Sequence, residues 1–533
     1  MGRSFEVRGE VLLVVLLATL FVALSLPNLD RPGLYYDEAY DAAVAVDILS
    51  VAPPQIPVPS FSFFGFRLPL KTYGWGGALK VYLFLPLFSL FGPSVTVMRI
   101  MNLCVGVGNI ALTYCLARRF LARFPSFVVS SLLVLDPNFI FETRVDWEPS
   151  SFAYLFRVAG SFFLAEGWLK REKVKMALSL ACFALGVYNR VTFHIFFIPF
   201  CLSLFLFFRK EIRQGFKERF LSRKGVGCFV LIVAMVTSDS FRHLPFGALP
   251  NLSFARRASL FMNFLQGKPL VKQMLGKKIG SIAGGSFFGA LLCLTFFLAW
   301  CYPFSKTVRK EFRGVIGFLT ALLFGMGAFL FLLPGVRYGC HFFILYPFLQ
   351  LMMGVLIQGL LKERMVVQKK ITSLLLAFYL VFVSVTAISG YRVVQKASRL
   401  LVQTGGNGFW SDAIYDLATY LSERENREVV CLDWGFQRNL FVLTKGKIRL
   451  PEPFWPWVLE GKEPTEELHR LFSEKGDLYL LHEPRYTKLV EESQAKNWAK
   501  EAGFELERLK TFHQKTGEAV FSLYEARRFP GDH

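Results

Sequence analysis

The chain contains few of the residues that build metal sites or disulfide-bonded scaffolds. Its 533 residues include only nine Cys and seven His, and the His residues are scattered. Most of the cysteines fall within or beside long apolar segments, where a free thiol packs as a small apolar side chain. Cys340 and Cys431 could pair, but nothing in their spacing requires it. The sequence therefore predicts neither a disulfide framework nor a metal site built from Cys and His.

Acidic residues are also scarce. The chain has 61 Lys and Arg against 40 Asp and Glu, which gives a formal net charge of +21. Residues 1–390 carry 40 basic and 18 acidic residues, whereas residues 391–533 carry 21 and 22. All of the positive excess belongs to the apolar part of the chain, where the positive-inside rule of membrane proteins accounts for it. This distribution argues against nucleic acid as a partner.

Apolar sequence is abundant: 53% of the residues are hydrophobic and 16% are aromatic. A membrane-spanning helix needs about 20 apolar residues to cross a hydrocarbon core of about 30 Å. The first apolar run lacks a small-residue cleavage site, so we interpret it as an uncleaved span. Placing five basic clusters in the cytoplasm predicts eleven spans, with the N-terminus inside and the C-terminus outside. The predicted spans are 10–27, 97–117, 126–141, 150–169, 176–190, 193–208, 225–238, 282–302, 314–333, 341–360 and 371–390.

Two segments are predicted to lie outside this bundle. Residues 76–91 are apolar, but a crossing there would move the following loops to the wrong side, so we expect an amphipathic or re-entrant helix at the outer interface. In residues 391–533, short buried strands alternate with helical patterns. The predicted fold is thus an all-α polytopic membrane domain, residues 1–390, followed by a small extracytoplasmic α/β domain, residues 391–533.

Two adjacent acids, Asp37 and Glu38, stand about ten residues past the first span. Carboxylates are costly to keep near lipid, so acids at this depth indicate a functional site. Further charged residues fall in segments predicted on the same outer side, namely Lys71, Arg144, Asp146, Arg190 and Arg337. Another outer segment, 239–281, carries seven cations against one acid. That excess fits either a bound lipid phosphate or a solvated loop.

Carboxylates and arginines that converge on one face suit the transfer of a glycosyl group from a lipid phosphate. A base must take the proton from the acceptor hydroxyl or amine. Cations must stabilise the departing phosphate, and an arginine can hold two phosphate oxygens at once. A nucleotide-binding fold is not required, because the lipid delivers the sugar in activated form.

The motif Tyr35-Tyr36-Asp37-Glu38-Ala39-Tyr40 resembles the first-loop acidic motif of the polytopic C-type glycosyltransferases. Residues 71–80, Leu90-Phe91-Gly92-Pro93-Ser94 with Arg99, Arg144-Val145-Asp146-Trp147 and Arg337-Tyr338 are similar to later segments of the bacterial members. These are relatives of protein O-mannosyltransferases, lipid A aminoarabinose transferase and lipopolysaccharide-core galacturonosyltransferases. The resemblance implies a polyprenyl-phosphate sugar donor, an acceptor reached from outside, and inversion at the anomeric carbon.

On this hypothesis the chain is an inverting, monomeric glycosyltransferase of the cell (inner) membrane, acting on a lipid, glycan or protein acceptor. The residues assigned to catalysis are Asp37, Glu38 and Asp146. The residues assigned to the donor phosphate are Arg337, Lys71, Arg190 and Arg144, and those assigned to the sugar or acceptor are Tyr36, Tyr73 and Tyr338. The sequence indicates no certain cofactor, and a divalent metal near Asp37 and Asp146 stays open.

Structural alternatives exist for these assignments. Asp37 could cap a helix with Glu38 in its first turn, Asp146 could pair with Arg144, and Arg337 could snorkel from the end of a span. A different class of protein, a lipid or sugar transporter or flippase, would place its charges along a route through the bilayer. Convergence of Asp37, Asp146 and Arg337 in one outward cavity would favour the transferase.

Overall fold

A computed structural model of the chain describes most of residues 2–533. The segments outside the description are 51–52, 75, 148, 218–226, 228–229, 231–251, 283, 334–337, 368–369, 425–427, 455–471, 473–476 and 529–533. The predicted span 225–238 and the predicted site residue Arg337 lie outside the described residues.

Helices dominate the first four hundred residues. In chain order they are α1 (Gly2–Ser25), α2 (Tyr40–Leu49), α3 (Leu79–Phe91), α4 (Val95–Ala117), α5 (Arg123–Val134), α6 (Pro137–Val145), α7 (Ser150–Lys170), α8 (Lys173–Asn189), α9 (His194–Lys217), α10 (Phe254–Leu265), α11 (Pro269–Leu275), α12 (Phe288–Cys301), α13 (Lys306–Leu332), α14 (Phe348–Val367) and α15 (Lys370–Thr404). Short 3₁₀ turns at Asp37–Ala39, Val191–Phe193, Gly276–Ser281 and Gly339–Leu345 connect several of them.

Among the described residues, five helices are long and apolar enough to cross a membrane, and the number rises to seven if each of two bent pairs is one span. The five lie in α1, α4, α9 with its preceding turn, α13 and α15. The bent pairs are α5 with α6, at 59°, and the Gly339–Leu345 turn with α14, at 45°. The chain is a multi-pass membrane protein. Helical structure overlaps every described segment that was predicted to span, but a total of eleven crossings stays a prediction.

The helices place acids and basic clusters at opposite ends of the bundle. At the start of α4, Arg99 binds Glu38. At its other end, Arg119 pairs with Glu166 of α7, which Lys175 of α8 also contacts. Because α4 has 23 residues and each residue adds about 1.5 Å, these ends are roughly 34 Å apart. The grouping of basic clusters on one side agrees with the pattern that the positive-inside rule requires.

Polar side chains hold the two helix breaks together. Asp136, between α5 and α6, accepts the backbone N–H of Asn138 at 2.8 Å and the Tyr346 hydroxyl at 2.9 Å. Pro137 follows at the first helical position, where a backbone N–H would have no partner within the helix, so its absence loses no hydrogen bond. Arg157 of α7 donates to the Tyr346 carbonyl at 2.7 Å. The broken helices thus satisfy the backbone and side-chain polar groups that a break exposes.

The segment between α2 and α4 carries two small hairpins and a short helix. Strand β1 (Ser60–Phe63) pairs antiparallel with β2 (Phe66–Pro69), and β3 (Lys71–Tyr73) pairs with β4 (Gly76–Gly77). Helix α3 has 13 residues, so it rises only about 20 Å. That length is short of the hydrocarbon thickness and suits the interfacial or re-entrant position expected for residues 76–91.

The C-terminal region forms a mixed four-stranded sheet flanked by helices, which confirms the predicted α/β fold. Its strand order is β5 (Val429–Cys431), β6 (Leu478–His482), β8 (Ala519–Arg528), β7 (Phe504–His513). Strands β5 and β6 are parallel, and the other pairs are antiparallel. The helices of this region are α16 (Ala413–Ser422), α17 (Gln437–Leu443) and α18 (Glu492–Glu501).

This sheet region shares a hydrophobic core with the first outer segment. Buried side chains of α2, α3 and the start of α4 pack in one cluster with those of α16, α17 and strands β5, β6 and β8. In addition, α15 continues to Thr404, past the predicted boundary at 390/391. The division of the chain there stays a prediction. The shared core means that the C-terminal region lies against the acidic segment and helps to position it.

Candidate active site

Asp37 opens the 3₁₀ turn that leads into α2. The residue that precedes this turn as its cap is Tyr36, so helix capping does not explain Asp37. Trp147 donates its indole N–H to the carboxylate of Asp37 at 2.9 Å. Burial raises the pKa of Asp37 to about 6, against the Trp147 hydrogen bond and the charge of Arg190, which lower it. A carboxylate with such a pKa is ionised at neutral pH and remains basic enough to accept a proton.

Asp146 lies one residue from Trp147 and is fully buried. It ends α6 in the left-handed conformation, with φ of 46°, which Asp tolerates better than most residues. One carboxylate oxygen accepts from Lys80 Nζ at 2.7 Å, and the other accepts the Ser151 backbone N–H at 2.7 Å. The alternative of an ion pair between Asp146 and Arg144 is therefore wrong, because Lys80 is the partner.

Glu38 has a different environment from its neighbour Asp37. Arg99 grips both of its carboxylate oxygens, through Nε at 2.7 Å and Nη2 at 2.8 Å. The remaining nitrogen of Arg99 donates to the carbonyls of Leu29 and Pro32. Both side chains of the pair are fully buried. The catalytic role predicted for Glu38 stays untested, but this geometry favours a positioning role, in which Glu38 and Arg99 fasten the acidic segment to α4.

The cations assigned to the donor phosphate are not all equivalent. Arg190 follows α8, its charge acts on Asp37, and it lines a small cavity together with Ser150, Thr192 and His341. Lys71 begins β3 and is partly exposed. Arg144 is buried and donates to the carbonyl of Asn28, so it supports the loop behind Asp37. Among the assigned cations within the described residues, Arg190 is therefore the one whose charge acts on Asp37, the predicted base.

Aromatic side chains pack around Trp147, the residue that donates to Asp37. Tyr35 stacks on Trp410 with ring centroids 4.1 Å apart, and it meets Trp147 edge-on at 5.3 Å. Tyr338 contacts Trp147 from another side at 4.9 Å.

The other assigned tyrosines extend this aromatic surface. Tyr36 donates its hydroxyl to Glu452 and packs against Trp434. Tyr73 meets Tyr40 at 5.3 Å. The structure thus brings Tyr36, Tyr73 and Tyr338 into one surround of the acidic segment, together with tryptophans of the C-terminal region.

Several known proteins resemble the chain. Residues 79–237 match the family model described as dolichyl-phosphate-mannose-protein mannosyltransferase. ArnT from Cupriavidus metallidurans bound to undecaprenyl phosphate matches with a TM-score of 0.56 at 11% identity, over 96% of this chain and 97% of that chain. Its apo structure matches equally well, with a TM-score of 0.56 at 12% identity over 98% of both chains. The fold is that of a C-type glycosyltransferase.

A structure with a slightly lower TM-score shows the same architecture. The apo oligosaccharyltransferase of Archaeoglobus fulgidus matches with a TM-score of 0.53 at 13% identity, over 94% of this chain and 69% of that chain. No functionally curated protein matches the sequence. The fold that the resemblance of the acidic motif implied is confirmed. Because the sequence identities are only 11% to 13%, the likeness to these structures concerns the fold alone.

Within this C-type fold, some residues of the site were missed by sequence reasoning. Lys80 is the only charged residue of the apolar helix α3, and a lone buried cation of that kind was a readable signal. Asp41 is buried one turn after Asp37, and its own pKa is raised to about 6, chiefly by burial. Trp410 gave no local signal, because only tertiary packing brings it to Tyr35.

A metal site needs several oxygen or nitrogen ligands close together. Within the described ranges, no group of three or more His, Cys, Asp or Glu side chains has the arrangement of a metal site. Lys80 donates a hydrogen bond to one carboxylate oxygen of Asp146, and Trp147 donates one to a carboxylate oxygen of Asp37.

Proposed function

We propose that the chain is a membrane glycosyltransferase that moves a sugar from a polyprenyl-phosphate donor to an acceptor on the outer side of the membrane. The observation that supports this most is the juxtaposition of Asp37 with Arg190, inside an aromatic surround and next to the Lys80–Asp146 pair. A base and a cation at one site are what glycosyl transfer from a lipid phosphate requires. The match to an ArnT structure bound to undecaprenyl phosphate supports a polyprenyl phosphate as the lipid part of the donor.

In the proposed reaction, Asp37 accepts the proton of the acceptor hydroxyl or amine. The acceptor atom then forms a bond to the anomeric carbon of the sugar. The bond between that carbon and the phosphate oxygen breaks from the opposite face, so the configuration inverts. The departing polyprenyl phosphate gains negative charge, which Arg190, and by assignment Lys71 and Arg337, would stabilise. The atoms balance without any further reactant.

Asp146 and Lys80 are proposed to act by positioning the segments that surround the substrate. A buried ion pair is nearly neutral as a unit and holds both side chains in fixed geometry. Asp146 also accepts the Ser151 N–H, so the pair is tied to the start of α7. Tyr36, Tyr73 and Tyr338 offer ring faces and edges, which suit the apolar faces of a sugar or of an acceptor.

A transporter or flippase remains the alternative of a different class. Such a protein needs charged groups along a route through the bilayer. Asp136 and Arg157 are buried charges within the described bundle, and both are bound at the helix breaks through Tyr346. Asp37 and Asp41 instead lie on the 3₁₀ turn and the short helix α2 that follow the first span. This distribution favours the transferase.

A direct test uses purified protein and a polyprenyl-phosphate sugar. We expect Arg190→Ala to weaken donor binding by about 1.5–3 kcal/mol, or roughly 10- to 150-fold, because a charge-assisted bond to phosphate is lost. Arg190→Lys should restore only part of it, since an ammonium lacks the planar fork. Binding is measured by titration with the lipid, and Arg527→Ala, at an exposed position near the end of β8, is the control. Unchanged binding in both Arg190 variants would remove this residue from the donor site.

The membrane orientation supplies a second test of the proposal. In a cysteine-free background, Ser62→Cys and Lys500→Cys should react with a membrane-impermeant thiol reagent in intact cells. Val174→Cys and Met365→Cys should react only after lysis, because the basic clusters beside them are expected in the cytoplasm. All four positions are exposed. The reverse labelling pattern would place Asp37 in the cytoplasm and remove the need for a lipid-linked donor.

A further inference from the structure

Helix α17 attaches the C-terminal region directly to the acidic segment. It packs against α2 and against the Asp37–Ala39 turn. Asn439 donates its side-chain N–H to the carbonyl of Leu34 at 3.1 Å. Gln437 is fixed as well, since its amide donates to the carbonyl of Leu450 at 2.9 Å. The helix therefore holds any side chain that it directs toward the acids in a defined position.

Arg438 lies between these two anchors and points its guanidinium toward the acidic segment. The guanidinium carbon lies 5.1 Å from the centroid of the Tyr40 ring. Its Nε and Nη1 atoms are buried and have no hydrogen-bond partner within the part of the chain that the structure describes. Unsatisfied buried donors are uncommon in folded proteins, and a charged one is costly. A group of this kind in a defined position suggests a ligand.

The surroundings of Arg438 contain a carboxylate that it does not contact as an ion pair. Asp41 follows Tyr40, and its Oδ1 atom is buried and accepts no hydrogen bond among the described residues. Neither Asp41 nor any other described acid comes within 4.0 Å of Arg438 to form a salt bridge. The two charges still interact at longer range, because Arg438 lowers the pKa of Asp41, which burial raises more strongly. The separation leaves the Nε and Nη1 atoms of Arg438 and the Oδ1 atom of Asp41 available to a substrate.

We propose that Arg438 binds an oxyanion of the sugar donor, so that the C-terminal region supplies part of the substrate site. The inference rests on the proposed glycosyl transfer. A planar guanidinium binds a carboxylate or a phosphate through two parallel hydrogen bonds. The oxyanion has two possible sources, the phosphodiester common to every polyprenyl-phosphate donor or a carboxylate on the transferred sugar. Asp41 would then accept hydroxyl groups of the same sugar.

The test measures donor binding by the full-length protein in lipid nanodiscs. Two donors are compared, a polyprenyl-phosphate hexose and a polyprenyl-phosphate hexuronic acid. We expect Arg438→Gln to weaken binding by about tenfold or more, and Arg438→Lys to recover only part of the loss. An equal loss for both donors assigns the phosphodiester, whereas a loss confined to the hexuronic acid assigns the carboxylate. Arg449→Gln, a charge removal at an exposed position of the same region, should leave binding unchanged.

Thermal unfolding separates a substrate role from a structural one. Because the buried Nε and Nη1 atoms of Arg438 have no ion-pair partner among the described residues, Arg438→Gln should keep or raise the midpoint of unfolding. A lowered midpoint, or wild-type binding of both donors by Arg438→Gln and Arg438→Lys, would overturn the inference and leave the proposed function intact. If the wild-type protein itself bound neither donor, the proposed function would fail, and the inference with it.

Discussion

Asp37→Asn should reduce turnover by about 100-fold or more, because the substitution keeps the size of the side chain and removes its basicity. The amide oxygen can still accept the Trp147 N–H that the carboxylate now accepts at 2.9 Å, so the loop should keep its position. Donor binding should therefore survive while transfer is lost. The measurement is single-turnover transfer with purified protein and a polyprenyl-phosphate sugar, with lipid binding determined in parallel.

The control for Asp37→Asn is Asp30→Asn, which removes a carboxylate from the same loop at an exposed position, where it pairs with Arg31. The pH profile of the wild type gives a second check. Asp37 works as the deprotonated form, and its pKa is about 6, so kcat/KM should be constant above that value and decline as the pH falls through it. Near-normal transfer by Asp37→Asn, or a profile without this decline, would contradict the assignment of the base.

Local signals in the sequence were sufficient for much of this architecture. The apolar runs predicted the positions of the helices. The strands around residues 429–431 and 478–482 could be predicted because they are short segments rich in β-branched residues and leucine. Asp37 was recognisable because two acids next to a span are costly without a purpose. The break at Asp136 also had a local signature, an acid before a proline, yet a hydropathy pattern averages over such a break and predicted one continuous span from 126 to 141.

Contacts between distant residues were beyond such signals. Lys80 pairs with Asp146 across 66 residues, and Tyr36 donates to Glu452 across 416 residues. Neither spacing nor periodicity relates these positions, because only tertiary packing brings the members of each pair together. For the same reason, the distinct environments of Asp37 and Glu38 could not be read from the sequence. Adjacent residues on a 3₁₀ turn point in different directions, one toward Trp147 and one toward Arg99.

The arrangement around Arg99 predicts the largest effect on stability. Arg99→Met removes a fully buried guanidinium and leaves Glu38 and the carbonyls of Leu29 and Pro32 without their donor. Loss of one partner from a buried pair costs about 3–5 kcal/mol, because the other charge stays buried and uncompensated. We expect the free energy of unfolding in detergent to fall by that amount. Lys362→Met, which removes the partner of Glu311 in an exposed pair, should cost less than about 1 kcal/mol.

A double-mutant cycle then separates the structural role of Glu38 from a catalytic one. The variant Arg99→Met with Glu38→Leu should be less destabilised than Arg99→Met alone, because no unpaired charge remains. Glu38→Gln should lower stability but keep most of the turnover per folded molecule, since both oxygens of Glu38 are bound by Arg99 and not by a group that contacts Asp37. If Glu38→Gln instead lost turnover as severely as Asp37→Asn while its unfolding was unchanged, Glu38 would be a catalytic acid and the positioning role of the Glu38–Arg99 pair would be wrong.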